Sequence, residues 1–410
     1  MQYGLLGEKL SHSFSPDIHA QLGNYPYQLF EVDPKDLPSF LQSTRFAGLN
    51  VTIPYKKSVI PYCQKLTPEA EMLQAVNTIV RNSDGTLTGH NTDCFGFSSM
   101  VERAKLSVSG KKALVLGSGG ASNTVCAVLK QQNANVIVIS RTGENNYSNI
   151  QHHSDANLIV NTTPVGMYPN NGQCPINLSL FPNLECVMDL IYNPLKTKLI
   201  LDAEALSIPA YNGLWMLVAQ AKQSAEWFTG TKIDDSLIQE IYQKVLKRSQ
   251  NIILIGMPGC GKTTIGSILA QKTSRIIIDT DQLITEKAGC PILEIFSAYG
   301  ENHFRKLETE IIRESGKRNN IILATGGGCV TQRDNLNLLR QNGTVIWIKR
   351  DLSLLETKGR PLSENGKLQQ MYTEREPLYH SFADLSVINE HSPEETAEQI
   401  IKKLKTDVIL

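Results

Sequence analysis

Residues 252–267 read IILIGMPGCGKTTIGS: an apolar run, a glycine-rich turn and the start of a helical pattern. Residues 256–263 satisfy GxxxxGK[ST] between a predicted strand and a predicted helix, the context that makes this phosphate-binding loop specific. Lys262 would contact the β- and γ-phosphates of a nucleoside triphosphate, and the Thr263 hydroxyl would bind Mg²⁺. The predicted nucleotide contacts are Gly259, Gly261, Lys262, Thr263 and Thr264.

A second glycine-rich turn, LVLGSGGAS at residues 114–122, lies between the strand pattern KKALVLG and the helix pattern SNTVCAVLKQQ. Backbone N–H groups and the helix dipole at such a turn suit a dinucleotide pyrophosphate, although the turn alone is equally compatible with no ligand. The next strand ends near Arg141, where NAD enzymes place an acidic residue, so the 2'-phosphate of NADP is predicted. The predicted contacts are Gly117, Gly119, Gly120, Ala121, Ser140, Arg141 and Thr142.

Composition limits the possible partners. The chain has 410 residues, enough for two or three compact units, and its 40 basic side chains balance 40 acidic ones. Small-molecule substrates are therefore favoured over nucleic acid or an anionic membrane. The eight cysteines form no CxxC pair, which predicts no zinc site. No signal-peptide pattern and no apolar run of ~20 residues is present, so a cytoplasmic location is expected.

The chain organisation predicts the α/β class. Short apolar runs alternate with helical stretches, the pattern of parallel strands joined by crossover helices. A charged helical stretch at 234–250 leads directly into the strand NIILIG, and the main boundary is placed there. The two glycine loops differ in spacing, so the halves are not an internal repeat.

Motifs in the first half resemble those of shikimate dehydrogenase. They are SHSFSPDIH (11–19), GLNVTIPYKK (48–57), AVNTI (75–79), GHNTDCFG (89–96), NTTPVGMYP (161–169), DLIYNPLKT (189–197) and NGLWMLVAQA (212–221). The resemblance implies substrate binding by Ser13, Ser15, Asn50, Thr52, Asn77, Tyr192 and Gln220, and catalysis by Lys56 and Asp93. It adds Thr163 and Gly213 to the cofactor contacts. Taken singly, Ser15 could be a plain helix cap before Pro16, and Lys56 an ordinary solvated charge.

The implied reaction is the NADPH-dependent reduction of 3-dehydroshikimate to shikimate. A ring ketone needs a hydride at carbon and a proton at oxygen, and a lysine is protonated at neutral pH, so Lys56 is the default proton donor. Asp93 would orient the ammonium. Only residues 143–157 separate Thr142 from the strand LIVNTT, which predicts a sheet trimmed at this edge, and Ser140 stands where the family commonly has asparagine.

Motifs in the second half resemble those of shikimate kinase: IIIDTDQLI (276–284), ENHFRKLE (301–308), LATGGGCV (323–330), GRPLS (359–363) and REPLYHSFA (375–383). The resemblance implies that Asp281 binds the acceptor hydroxyls, that Asp279 lies near Mg²⁺ and that Arg360 closes over the phosphoryl group. Arg305 and Arg375 would clamp a carboxylate beside Gly327 and Gly328, as planar guanidinium groups do well. Alternatively, Arg305 pairs with Glu301 or Glu308 on a helix surface. Glu356 stands where an adenine-stacking arginine often lies.

The combined expectation is a two-enzyme chain. Residues 1–99, completed by helices of 213–248, would form an α/β substrate-binding domain, 100–212 a Rossmann NADP domain, and 250–410 a P-loop domain of the nucleoside monophosphate kinase type. ATP would then phosphorylate the shikimate 3-hydroxyl that the first enzyme creates. Two alternatives remain open: a quinate-type dehydrogenase fused to another small-molecule kinase, and a sensor that binds such ligands without turnover.

Overall fold

The computed structural model describes residues 2–10, 13–43, 45–355 and 368–406. The chain divides into two compact units. Unit 1 comprises Met1–Tyr192 and Leu199–Leu246, and unit 2 comprises Asn193–Lys198 and Lys247–Leu410. Among the described residues, no helix combines the length and the apolar character needed to span a membrane.

The first sheet of unit 1 is mixed. Its strands are β1 (Gln2–Gly7), β2 (Tyr27–Glu31), β3 (Phe46–Val51), β4 (Lys65–Leu66), β5 (Thr78–Arg81) and β6 (Leu87–His90). They are ordered β2-β1-β3-β5-β6-β4, and β5 runs antiparallel to β3 and β6. The accompanying helices are α1 (Ser15–Leu22), α2 (Leu37–Gln42), α3 (Pro68–Leu73) and α4 (Asp93–Arg103). One core cluster, which includes Leu6, Phe46 and Leu49, packs the strands against α2 and α3. Helix α4 contributes Phe97, Met100 and Val101 to a different cluster.

The second sheet of unit 1 is parallel throughout. Its strands are β7 (Lys112–Leu116), β8 (Asn135–Ile139), β9 (Leu158–Asn161), β10 (Cys186–Asp189) and β11 (Ala210–Asn212), ordered β11-β10-β9-β7-β8. The helices along this part of the chain are α5 (Gly120–Gln131), α6 (Lys198–Ala205), α7 (Leu214–Thr229) and α8 (Ser236–Ser249). Helix α7 contacts α1, α4, β3 and β5, which belong with the first sheet. Strands β7 and β9 are buried on both faces, as expected for a sheet covered by crossover helices.

The sheet is trimmed at the β8 edge, as the short segment 143–157 predicts. Between β8 and β9 the chain forms only a 3₁₀ turn, Ile150–His153, and an isolated bridge from Ser140 to Asn146. Strand β8 is therefore the last strand on this side.

Unit 2 has a parallel sheet of its own. Its strands are β12 (Asn251–Ile255), β13 (Ile276–Asp279), β14 (Ile321–Ala324), β15 (Gly343–Lys349) and β16 (Leu385–Ile388), ordered β13-β14-β12-β15-β16. The helices are α9 (Lys262–Thr273), α10 (Thr280–Ala288), α11 (Ile292–Gly316), α12 (Asp334–Arg340), α13 (Leu368–Phe382) and α14 (Pro393–Thr406). Helix α11 is kinked at Gly300, whose φ of 77° is non-helical. The predicted α/β class with parallel sheets is confirmed.

Candidate active sites

Lys56 and Asp93 form an ion pair in unit 1. The Lys56 Nζ donates to Asp93 Oδ2 at 2.7 Å, and the two side chains are 30% and 15% exposed. Lys56 follows β3 in a turn that the buried Tyr55 anchors by donating its hydroxyl to the Val32 carbonyl at 2.5 Å. Asp93 is the first residue of α4. The turn is therefore fixed from the protein interior, while the paired charges remain accessible to a ligand.

Three predicted substrate-binding amides surround a group of buried hydroxyls. Asn77 Oδ1 accepts from the Thr92 backbone N–H at 2.8 Å, and its Nδ2 donates to Thr92 Oγ1 at 3.0 Å. Thr92 Oγ1 also donates to Gln220 Oε1 at 3.3 Å. Asn50 is buried, and its Oδ1 accepts from the Tyr27 hydroxyl at 2.8 Å. We refer to Asn50, Asn77, Thr78, Thr92 and Ser224 as the polar cluster.

The segment before α1 differs from a simple helix cap. Ser15 is the first residue of α1, and the N-cap position is occupied by Phe14 with no side-chain cap bond. Ser13 Oγ instead accepts from the Ser15 backbone N–H at 3.2 Å. The ring of Phe14 lies 5.8 Å from that of Tyr192, so these two predicted contact segments are neighbours. Thr52, half-buried after β3, donates its N–H to the Leu6 carbonyl at 2.9 Å.

The turn between β7 and α5 is built for close backbone approach. Gly117 has a φ of 105°, and a Cβ there would lie 2.9 Å from Thr162 Oγ1. Gly119, Gly120 and Ala121 are exposed, and the N-terminus of α5 has no side-chain cap. Its first N–H groups are therefore available to an anion such as a pyrophosphate.

The remaining predicted cofactor residues follow the carboxyl ends of three strands of the same parallel sheet, β8, β9 and β11. Ser140 Oγ accepts from the Gly143 N–H at 2.9 Å, and Arg141 and Thr142 follow it on the exposed surface. After β9, Thr163 Oγ1 donates to Asn161 Oδ1 at 2.7 Å. Gly213 precedes α7, and a Cβ there would lie 2.0 Å from the Leu190 carbonyl oxygen, so only glycine fits.

In unit 2 the predicted phosphate-binding loop has the required backbone. Gly256, Gly259 and Gly261 have φ values of 147°, 83° and 98°, in the region that favours glycine. The Lys262 Nζ donates to the Gly256 and Met257 carbonyls at 2.9 and 3.0 Å, which holds the ammonium inside the loop. Cys260 is fully buried and packs in the core.

The predicted magnesium residues are already joined. Thr263 Oγ1 donates to Asp279 Oδ2 at 2.7 Å. Asp279 Oδ1 caps α10 by accepting from the Asp281 N–H at 2.9 Å. A hydroxyl and a carboxylate beside the phosphate-binding loop suit Mg²⁺, which prefers oxygen ligands.

Arg305 is paired with both of the glutamates named in the surface alternative, but it is buried. Its Nη1 donates to Glu308 Oε2 at 2.8 Å and its Nη2 to Glu301 Oε1 at 2.9 Å, yet it is 5% exposed rather than on a helix surface. Burial raises the pKa of the Glu308 carboxyl above its ordinary value, against the lowering effect of Arg305. Arg375, also buried, donates to the Gly327 carbonyl at 3.3 Å.

The glycine run 326–328, directly after β14, lies against the side chains of Asp281, Arg305 and Glu308. A Cβ at Gly326 would lie 2.6 Å from Glu308 Oε1 and 2.7 Å from Asp281 Oδ1, and one at Gly328 would lie 2.2 Å from Arg305 Nη2. The run is therefore part of the site wall and not a bare turn.

These residues line one cavity of about 570 Å³ in unit 2. It contains Gly259, Gly261, Lys262, Thr263, Thr264, Asp279, Asp281, Arg305, Gly327, Gly328 and Arg375. Arg360, the predicted phosphoryl-contacting arginine, and Glu356 lie outside the described residues.

Sequence reasoning missed two residues that line this cavity. Glu308 was considered only as a surface partner of Arg305, but it is fully buried. Arg350, just after β15, has a buried Nε without a hydrogen-bond partner among the described residues. The sequence signal that could have identified Arg350 is its position at the carboxyl end of β15, next to the strand that leads into the phosphate-binding loop.

Comparison with known proteins identifies a different family match in each half of the chain. Residues 5–79 match the family model of the shikimate dehydrogenase substrate binding domain. The NADP(+)-dependent shikimate dehydrogenase of Clostridium perfringens is 34% identical over 59% of this chain and 97% of its own length. The chain belongs to the shikimate dehydrogenase family. Residues 258–405 match the shikimate kinase family model, so the chain is a fusion of the two enzyme types.

Solved structures of shikimate dehydrogenases resemble about 60% of this chain, a share similar to that matched by the Clostridium perfringens enzyme. The enzyme of Peptoclostridium difficile is 36% identical, with a TM-score of 0.56 over 60% of this chain and 98% of its own. The Thermus thermophilus enzyme, solved with NADP(H) and shikimate, is 29% identical, with a TM-score of 0.55 over 60% of this chain and 99% of its own.

Proposed function

We propose that the chain catalyses two consecutive reactions: the reduction of 3-dehydroshikimate to shikimate with NADPH, and the phosphorylation of the shikimate 3-hydroxyl with ATP and Mg²⁺. The observation that carries the proposal is that each unit has its own lysine within a site of matching chemistry. Lys56 is paired with Asp93 beside the polar cluster. Lys262 shares one cavity with Asp281, Arg305 and Arg375.

In the reductive step, bound NADPH supplies the hydride. Lys56 donates a proton from Nζ to the carbonyl oxygen as it becomes a hydroxyl, and Asp93 keeps the ammonium aimed at that oxygen. The substrate's hydroxyls and carboxylate are bound by Ser13, Ser15, Asn50, Thr52, Asn77, Tyr192 and Gln220. Arg141 would bind the 2'-phosphate of the cofactor, which predicts a preference for NADPH over NADH.

In the phosphorylation step, Thr263 and Asp279 would hold Mg²⁺, which would neutralise phosphate charge. Asp281 binds the acceptor hydroxyls and takes the proton of the attacking one. Arg305 and Arg375 bind the shikimate carboxylate beside Gly327 and Gly328. Glu301 is the half-exposed partner of Arg305, so the substrate carboxylate can replace it, while the buried Glu308 stays in place. Lys262 and Arg360 contact the transferred phosphoryl group.

We assign the parts of the chain accordingly. Residues 1–99, completed by helices of 213–248, form the substrate-binding domain of the dehydrogenase, 100–212 its NADP domain, and 250–410 the kinase. The enzyme acts on small molecules in the cytoplasm, without nucleic acid or membrane partners.

A coupled assay tests the proposal. The purified chain is incubated with 3-dehydroshikimate, NADPH, ATP and Mg²⁺, and NADPH oxidation and products are followed by absorbance and mass spectrometry. We expect shikimate 3-phosphate, with shikimate accumulating when ATP is withheld. Quinate or gluconate as the better substrate of either unit would favour the alternative fusion, and ligand binding without turnover would favour a sensor.

A further inference from the structure

Ser224 contributes a hydroxyl to the polar cluster that contacts four other residues. It lies on α7, one turn after Gln220, and is fully buried. Its Oγ accepts from Asn50 Nδ2 at 2.8 Å and lies 2.8 Å from Thr78 Oγ1 and 3.0 Å from Thr92 Oγ1. Its hydroxyl also reaches the Gln220 carbonyl at 3.0 Å. One side chain thus joins β3, β5, the start of α4 and α7.

The hydrogen bond from Ser224 to the Gln220 carbonyl is common in helices, whereas its contacts with Asn50, Thr78 and Thr92 join it to other elements. A helical serine commonly donates to the carbonyl four residues earlier. A hydroxyl has one donor and two acceptor positions. If Ser224 donates to Gln220, it can accept from Asn50 and from one of Thr78 and Thr92, so its hydrogen-bonding capacity is fully used.

These bonds determine how the neighbouring amides are oriented. Asn50 Nδ2 donates to Ser224 and to Thr78 Oγ1, at 2.8 and 3.2 Å, which directs its Oδ1 towards the Tyr27 hydroxyl. Thr92 Oγ1 contacts both Asn77 and Gln220, the amides assigned to the substrate. Thr92 Oγ1 also lies 3.3 Å from Thr78 Oγ1. Without Ser224, Thr92 would keep only that long contact besides the two amides, so more of its hydrogen bonding would fall on the groups that bind the substrate.

We propose that Ser224 is a positioning residue of the dehydrogenase reaction, which holds Asn50 and Thr92 so that Asn77 and Gln220 present a fixed hydrogen-bonding pattern to the substrate. The inference rests on the proposed reductive function. Because Ser224 is fully buried, it acts through these neighbours and not by touching substrate.

The test compares Ser224→Ala and Ser224→Cys with the full-length wild-type chain. Alanine removes the hydroxyl, whereas cysteine keeps the side-chain volume but is a weak donor and acceptor. We expect both to raise the KM for 3-dehydroshikimate about tenfold, the usual effect of one lost hydrogen bond. The KM for NADPH should stay within about twofold, and kcat should fall less than the KM rises, because Lys56 and Asp93 lie outside these bonds.

Ser99→Ala is the matched control. Ser99 lies on α4, and its hydroxyl accepts from the Trp215 indole at 2.9 Å, outside the polar cluster. The Ser99→Ala variant should leave the KM for 3-dehydroshikimate unchanged.

Two results would overturn the inference. A Ser224→Cys variant with wild-type kinetics would show that only side-chain volume matters at this position. A rise in KM in Ser99→Ala as large as that in Ser224→Ala would show a non-specific response. If Ser224→Ala does not fold, as judged by circular dichroism and NADPH binding, the cysteine variant decides alone. A wild-type chain without reductase activity would instead refute the proposed function.

Discussion

At the residue scale, Arg305 is bound by two carboxylates of unequal exposure. Glu301 is 50% exposed, whereas Glu308 is fully buried. An exposed ion pair contributes little to stability because water and salt screen it, but a buried charge without a partner is costly. Glu308 therefore keeps the guanidinium charged and in place when the cavity is empty, and Glu301 is the partner that an incoming anion can displace.

Arg141 gives a prediction about cofactor choice. Arg141→Ala should raise the KM for NADPH by about ten- to a hundredfold, since a charge-assisted hydrogen bond is worth about 1.5 to 3 kcal/mol. The KM for NADH, which has no 2'-phosphate, should hardly change. Steady-state kinetics with both cofactors measure this, and equal effects on the two would refute the assignment.

Two buried histidines predict acid sensitivity of unit 1. Burial lowers the pKa of His19 to about 3 and that of His90 to about 4, from an ordinary value of 6.5. Below pH 6.5 the unfolded chain binds protons at these rings and the folded chain does not, so the free energy of unfolding falls until the pH passes the folded-state values.

His90→Gln tests this acid sensitivity. The wild type should lose about 2 kcal/mol more than this variant between pH 7 and pH 5. Urea titrations at both pH values measure the difference, and hydrogen exchange of the β6 amides assigns it to unit 1. An unchanged pH dependence would show that His90 protonates without unfolding.

At the element scale, the turn after β14 brings backbone against side chains from other elements. Gly328 has a φ of −100°, which any residue can adopt, but a Cβ there would lie within 2.4 Å of three guanidinium atoms of Arg305. Glycine is needed for space and not for backbone conformation. The turn and α11 therefore determine the position of the arginine together.

Gly328→Ala should displace Arg305 while leaving its charge in the protein. We expect the KM for shikimate to rise about tenfold or more, with the KM for ATP unchanged, because the methyl group occupies the place of the guanidinium. A double-mutant cycle with Arg305→Ala provides the control. Additive effects would mean that the glycine acts independently of Arg305.

At the scale of the whole molecule, each unit has its own core and its own catalytic lysine. The largest core cluster of unit 2 includes Ile253, Ile322 and Ile346, and that of the second sheet in unit 1 includes Val115, Leu158 and Met188. Residues held in separate cores and sharing no partners act independently in mutational tests.

The two activities should therefore be separable in the intact chain. Lys56→Ala should abolish NADPH oxidation and leave shikimate phosphorylation unchanged, and Lys262→Ala should do the reverse. Each variant serves as the control for the other, with circular dichroism to confirm folding. Loss of both activities from either change would contradict two independent sites.

The α/β class and both glycine loops follow from the sequence alone, because they depend on local backbone conformation and on spacing within a few residues. Only the tertiary structure decided that Ser15 does not cap α1, that Arg305 is buried between Glu301 and Glu308, and that Arg350 lines the cavity. Ser224 is the clearest case, since it meets Asn50 across 174 positions and Thr78 across 146. A serine in a helix has no sequence signal for such partners, because they arise when the strands and α7 pack together and bury the hydroxyl, which must then be hydrogen-bonded.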